Sequence, residues 1–527
     1  MRPGGYIIYF LTFLVLLLGS ARNAGAQLPV RVWDKRYGGG PDVNGSGRDW
    51  LVRMLRLSDG NYLWCGWSWT NANGDKTDPM TGICRDVWFV KTNESGQKIW
   101  DKSIKAGDQF TGCEDLDDAI ITSEGKIVFT ISSLSNAGYD KSENNRSSSY
   151  DIWIVVVDEN GIILQDKTIG GSGSDNSSSC IQTSDGGYLI TCASDSNIGF
   201  EKSANCRGSD DYWIVKLYQD LQVQWDKTYG GDNTDYPYDV VQTIDGGFLV
   251  GGYSRSGVNG DKTAFPHGGT HDIWLLKLDA NGNKLWDKVY GGTGSEFLYK
   301  IIPSGDGNYL LAGYSNSNAG FEKSENSRGG NDFWVLKIDP VGNVIWDKTY
   351  GGTGNDACLA IAPTGDGGFI LGGASNMGFS GERSEGNWGS NDFWIIRINA
   401  NGNKIWDKSF GSTLNDALFD VIVLDDNTKE YILAGYSNGN ATGDKTEDCR
   451  GDYDYWVIKT KEEDPLALPV RLQAHPQTPH VRLSWDAAAP CRIDRSTDGY
   501  TFETIGETAC TGRCAWGDSF PPPGRYF

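Results

Sequence analysis

Between residues 28 and 460 the apolar positions fall in short runs, some continuous and some alternating with polar residues, and no stretch sustains the 3.6-residue spacing of a helix. Residues 356–410 show the unit. Apolar runs at Leu359–Ala362, Phe369–Gly373 and Phe393–Ile398 are followed by a mixed run at Lys404–Phe410, which predicts four strands. Gly365-Asp366-Gly367-Gly368 joins the first two, and Asn399-Ala400-Asn401-Gly402 joins the last two. Glycine and Asx residues supply the backbone angles of tight hairpins, so each of these pairs is expected to be antiparallel. The other connections are longer: a Gly-Gly-Thr-Gly-Asn segment, as at residues 351–355, and a loop such as Ser375–Asn391.

The unit recurs along the chain. Trp-Asp-Lys begins at Trp33, Trp100, Trp225, Trp286, Trp346 and Trp406, and once with Gln165 in place of the Trp. A Trp two residues after an Asp falls at Trp88, Trp153, Trp213, Trp274, Trp334, Trp394 and Trp456. Seven copies at a spacing of roughly sixty residues, each with four antiparallel strands, predict an all-β, seven-bladed β-propeller rather than a β-helix, whose turns are much shorter. With the strands of a blade named a to d, the chain opens on a lone d-type strand, Val30–Tyr37, and its last repeat ends on a c-type strand, Tyr455–Lys459. The N-terminal strand is therefore expected to complete blade seven, leaving no open sheet edge.

The order Asp-Gly-Gly-aromatic, long loop, Asp-aromatic-Trp, turn, Trp, as in Gly368–Gly373 followed by Asp392–Trp406, resembles the blades of kelch and galactose-oxidase-type propellers. The resemblance covers residues 28–460, although Thr191-Cys192 and Thr130-Ile131 replace the family's strand-end glycine pair in two blades. Beyond Glu463 the repeat stops. Leu468–Leu472, His480–Trp485, Cys491–Arg495, Tyr500–Ile505 and Gly524–Phe527 read as short strands and resemble the start of a fibronectin type III-like sandwich with Trp485 as its core aromatic. Together the two segments resemble surface and secreted repeat proteins exported by the type IX pathway of Gram-negative bacteria. That resemblance implies a C-terminal sorting domain, which the sequence does not show, and the sandwich is expected to be truncated. The predicted organisation is a leader at 1–26, the propeller at 27–462 and the partial sandwich at 463–527.

Arg2, the apolar stretch Tyr6–Leu18 and the small-residue pattern Ala24-Gly25-Ala26 form a secretory leader, so a secreted or cell-surface location is expected. With 69 acidic and 47 basic residues the net charge is −22, which disfavours nucleic acid as a partner. No other stretch is apolar enough for a transmembrane segment. Eleven cysteines in an exported chain allow disulfides, and Cys180 with Cys192 or Cys84 with Cys113 are the local candidates.

Chemistry is not announced by any motif. One acid per blade stands ten positions before the acid of the a–b turn: Asp49, Glu114, Asp175, Asp235, Glu296, Asp356 and Asp416. A group used seven times reads as architecture, accepting backbone hydrogen bonds at the d–a crossing, with Ca²⁺ binding as the alternative and no other cofactor implied. The Asp-Lys pairs and loop triplets such as Asp261-Lys262-Thr263 and Glu322-Lys323-Ser324 read as surface ion pairs worth little. Four positions after each repeated acid come Arg53, Asp118, Ser179, Asp239, Lys300, Ala360 and Asp420, on the strand expected to line the central channel. They read as a solvated lining or, more sharply, as a channel-mouth site in which Asp118, Asp239, Lys300 and Asp420 contact a polar ligand. Trp69 and Trp388 break the repeat on the long-loop rim and are candidates for stacking on a sugar ring. His267 and His271 share one loop and read as surface residues rather than metal ligands.

Three function classes follow. The uniform blades favour a non-catalytic binding or scaffold module whose partner is a glycan or surface protein. A carbohydrate-active hydrolase or lyase is the alternative, since fold alone does not decide catalysis. A structural surface-layer role is the third. Two histidines in one loop do not map onto the dispersed ligands of a copper oxidase, and Arg53 alone does not make the arginine cluster of a sialidase.

Overall fold

The structure is a computed structural model that describes residues 28–41, 47–80, 84–107, 113–376, 378–425 and 429–463, together with strand segments at 473–477, 480–487, 491–496, 502–508 and 512–518. The leader at 1–26 and the strand expected at Gly524–Phe527 lie outside the described residues. Six sheets spanning 48–104, 114–169, 175–229, 235–290, 296–350 and 356–410 each hold four strands in consecutive order. The seventh contains Asp416–Asp425, Glu430–Ser437 and Asp454–Glu463, with Leu28–Tyr37 as its fourth strand. The ring is a seven-bladed β-propeller closed by its N-terminal strand. Further on, Gln473–Gln477, His480–Ala487 and Gly512–Asp518 form one sheet and Cys491–Ser496 with Phe502–Thr508 another. The core role expected of Trp485 concerns a side chain outside the described set.

The repeated residues explain the uniform blades. The Trp of every c strand is fully buried, and its indole N–H donates to the Asp of the Trp-Asp-Lys phrase in the neighbouring d strand, at 3.1 Å for Trp88 and Asp101 and 3.0 Å for Trp213 and Asp226. The same Asp accepts a backbone N–H from the b–c loop, such as Thr77 to Asp101 at 2.8 Å and Ser203 to Asp226 at 2.9 Å. Blade seven makes these bonds across the closure: Trp456 and Thr446 both donate to Asp34 of the N-terminal strand, at 3.2 and 2.9 Å. A buried carboxylate that unites c strand, d strand and loop is an architectural part, not a surface ion pair.

The loop triplets likewise depart from expectation. Lys76, Lys141, Lys202, Lys262, Lys323, Arg383 and Lys445 are all buried. Lys262 Nζ donates to Ser254 Oγ and to the Ser256 carbonyl, both at 2.8 Å. Facing it is the repeated acid Asp235, which accepts the Gly231 N–H at 2.7 Å and Ser256 Oγ at 2.8 Å. Burial pushes these carboxyls up, Glu114 to about 7, and the amines down, Lys141 to about 8. Six of the seven acids therefore do accept a backbone N–H at the d–a crossing, Glu114 accepts the Ser133 and Ser135 hydroxyls, and the sequence misjudged their cationic partners. Among the described cysteines, Cys84 and Cys113 form a disulfide. Cys180 and Cys192 stay free because their partners across the strand pair are Ile190 and Ser177.

Candidate functional site

The a strands position the site. Each carries a one-residue bulge three positions after the repeated acid, at Val52, Asp117, Ser178, Tyr238, Tyr299, Leu359 and Phe419. A bulge leaves the extra residue out of the ladder and re-aims its side chain. All seven bulge residues line one cavity of about 390 Å³ in the channel, at the end where the a strands begin. That end is the rim carrying the b–c loops and d–a crossings.

The cavity wall is divided by chemistry. On the side of blades one and seven, Trp50 stacks on Trp67 with ring centres 5.6 Å apart and meets Phe419 edge-on at 5.8 Å. On the side of blades four and five, Tyr238 lies 4.7 Å from Tyr299 and 5.2 Å from Tyr236. Blades two and three contribute Asp115, Asp117, Asn176 and Ser178 instead. Asp117 accepts hydroxyl hydrogen bonds from Ser132 at 2.7 Å and from Ser177. Desolvation pushes its carboxyl up to about 8 against those two bonds, and Asp115 adds to the rise. The wall thus offers two aromatic faces and one group of hydrogen-bonding side chains.

Below the bulges lies a charged belt in which Asp118, Asp239, Lys300 and Asp420 stand with Arg53. Three of these residues bind the next blade's backbone. Asp118 accepts the Cys180 N–H at 2.9 Å, Asp239 the Ile301 N–H at 2.7 Å and Asp420 the Met54 N–H at 3.0 Å. Arg53 Nε donates to Asp118. Burial alone would raise the Asp118 pKa, but Arg53 and Lys300 outweigh it and hold the carboxyl below its usual value. Burial dominates at Asp420, which is raised, and at Lys300, which is lowered. The belt separates the aromatic cavity from a second hollow of about 300 Å³, toward the hairpin rim, lined by Met54, Ala119 and Cys180 among others.

Trp69 ends the b strand of blade one, 38% exposed and paired with Arg48. Trp388 is 56% exposed in the b–c loop of blade six, and its indole lies over Gly443 of the next blade's loop. Arg207, Arg328 and Arg450 lie in the same way over Gly260, Gly381 and Gly74, so Trp388 fills their packing position. Neither Trp lines the cavity. His267 stacks on Phe321 and His271 meets Tyr253 and Phe297 edge or tilted, and no cluster of metal-ligating side chains occurs among the described residues. The residues that sequence reasoning missed are those one and three positions after the repeated acid. Their variability was visible; their direction was not, because strand alternation does not reveal a bulge.

No protein-family model matches the chain. Over 222 residues, 40% of its length, it is 25% identical to the regulatory protein FlaEY of Caulobacter vibrioides, and it spans only 22% of that protein. Among solved structures it is similar to BamB from Moraxella catarrhalis, at 12% identity and a TM-score of 0.33, covering 83% of this chain and all of that one. The WD40 domain of Neurospora crassa Pan2 matches at 7% identity and a TM-score of 0.41 over 82% of this chain and 96% of its own. The phage phi92 endosialidase matches at 10% identity and a TM-score of 0.38 over 92% of this chain and 75% of its own. These likenesses supply no ligand. No helix among the described residues is long and apolar enough to cross a membrane.

Proposed function

We propose that this chain is an exported, non-catalytic binding module of kelch-like repeats, carried out of the cell by the type IX route, whose ligand is a glycan held in the channel cavity. One observation carries the reading: aromatic faces at Trp50, Trp67, Tyr238 and Tyr299 oppose hydrogen-bonding groups at Asp117, Asn176 and Ser178 around one hollow. Sugars combine an apolar ring face with a polar edge, and such a wall suits both. Of the charged belt Lys300 lines this cavity while Asp118, Asp239 and Asp420 line the second hollow, and Trp69 and Trp388 stand on the long-loop rim outside both. A glycan array, followed by titration of the hits, tests the reading. Tyr238→Ala is expected to weaken binding about threefold to tenfold, the scale of one aromatic contact. Hits whose affinity ignores Tyr238 and Trp50 would refute it.

A second reading has its own support. Asp117, protonated near neutrality beside Asp115, has the form of a general acid with a carboxylate neighbour, as glycoside cleavage requires. Release of reducing ends from any array hit, abolished by Asp117→Asn, would establish a hydrolase in place of a binding module.

A further inference from the structure

Every b–c loop contains the same four-residue turn, closed by a hydrogen bond from the N–H of its fourth residue to the C=O of its first. The turns are Asn73–Lys76, Gly138–Lys141, Gly199–Lys202, Asn259–Lys262, Gly320–Lys323, Ser380–Arg383 and Thr442–Lys445. The second residue has positive φ in all seven. Four blades place a glycine there, Gly74, Gly260, Gly381 and Gly443, as the geometry demands. Blades two, three and five place Tyr139, Phe200 and Phe321 instead, at φ of 50°, 52° and 54°. Bulky side chains are strained in that region. They are also left exposed, at 62%, 70% and 64% of their surface. Neither backbone preference nor burial accounts for three aromatics at one repeated position.

Their surroundings are those of a recognition face. The Phe200 ring lies 5.9 Å from the Arg146 guanidinium of the preceding blade, which is bound to Glu201 of the same turn at 2.9 and 3.0 Å. Phe321 stacks flat on His267 of the preceding blade at 4.2 Å, with His267 Nδ1 3.1 Å from Glu322. The Phe200 and Phe321 rings are thus each supported by a neighbouring blade and have a carboxylate close by, and all three rings remain mostly exposed.

We infer that Tyr139, Phe200 and Phe321 are stacking platforms for the pyranose rings of a polysaccharide, bound by several blades at once. A pyranose has a flat patch of C–H bonds edged by hydroxyls, and an aromatic face with polar groups beside it, Arg146 and Glu201 at Phe200 and His267 and Glu322 at Phe321, meets both parts. The net charge of −22 opposes a polyphosphate or an anionic membrane. Placement at blade intervals suits a repeating ligand, because weak sites fixed on one ring reinforce each other through effective concentration. The inference rests on the glycan reading above but on different residues.

The test uses the full chain and the triple variant Tyr139→Gly, Phe200→Gly, Phe321→Gly. Adsorption isotherms are measured on cellulose, chitin, xylan and β-1,3-glucan particles, and short oligosaccharides of the same sugars are titrated in solution. The wild type is expected to adsorb to at least one polymer, and the triple variant to do so at least tenfold more weakly, with its Tm unchanged or raised and its oligosaccharide affinity unaltered. Adsorption of the variant within twofold of wild type, a fall in its Tm, or no adsorption by the wild type would each overturn the platforms. Failure of oligosaccharide binding while polymer adsorption holds would sink the channel reading and leave the platforms standing.

Discussion

Leu221 and Phe200 stand in the same blade at the same strained backbone angle, with φ of 63° and 52°, on opposite rims of the ring. Leu221 sits in the c–d hairpin, where five other blades use Gly96, Gly161, Gly282, Gly342 and Gly402. It is 1% exposed and packs into the core cluster with Tyr188, Val215 and Leu217. Burying a leucine is worth about 1.5–3 kcal/mol, enough to offset a left-handed residue that costs about 1–2. Phe200 has no such compensation. The difference teaches that the strain at Leu221 is offset by burial in the core, whereas the strain at Phe200 is not.

The largest effect that would sharpen this contrast lies beneath the long loops. Lys262→Ala should destabilise the ring by about 3–5 kcal/mol in urea unfolding, because Asp235 is left buried without its cation. Lys262→Arg should be mild, since blade six already uses Arg383 in that place. On the hairpin rim the partly exposed pair of Lys277 and Asp245, at 2.9 Å, should contribute no more than about 1 kcal/mol when Asp245 is replaced by Ala. Equal losses on the two rims would break the comparison.

The next effect addresses the strained residues themselves. Leu221→Gly is expected to lose about 1–3 kcal/mol, the lost packing outweighing the relieved strain. Phe200→Gly is expected to hold stability or gain up to about 1 kcal/mol. A clear loss at Phe200 by calorimetry would show that its strain is structural after all.

Ligand affinity should respond on one rim only. Trp50→Ala or Tyr238→Ala should raise Kd about threefold to tenfold for a channel ligand, and Trp388→Ala by about threefold at most, whereas Asp366→Asn in a hairpin should leave it unchanged. The reverse pattern in a binding titration would place the working surface at the other end.

The smallest effect is the pH dependence of Tm. Burial raises Glu114, Asp151 and Asp454 to about 7 and Asp392 to about 6, all on the long-loop side. Groups raised in the fold give stability that is present below their unfolded values and lost as pH rises through 6 to 7. Asp245 and Asp366 on the hairpin rim are lowered to about 2 despite desolvation, by hydroxyl and cation partners. Their stability is present above the unfolded value and lost as pH falls through 2. Lys141 and Lys323, lowered by burial to about 8, have lost their share before pH falls below 8. Tm should therefore rise by about 2–4 °C per kcal/mol recovered between pH 8 and 5, and fall again in strong acid. A Tm flat across that window would remove the electrostatic distinction between the rims.

The sequence by itself determined the strands, the number of blades and the closing strand. These are local or periodic properties: turn residues such as Gly365–Gly368 and Asn399–Gly402 set the hairpins, and the unpaired d-type strand at Val30–Tyr37 matched a blade short of one. It also marked the repeated acids as architecture. Tertiary structure alone decided the rest. The seven bulges that turn Asp117, Tyr238 and Tyr299 into the channel interrupt an alternation that the sequence shows unbroken, and the hairpin register pairs Cys180 with Ile190 rather than Cys192. The loop lysines are buried because the acid that begins the a strand of the same blade folds beneath them, as Asp235 does beneath Lys262. Phe200 is strained because the second position of its turn has positive φ in every blade and here carries a side chain in place of glycine. Contacts between blades are long-range, and a repeat encodes its own fold more plainly than it encodes what its neighbour requires of it.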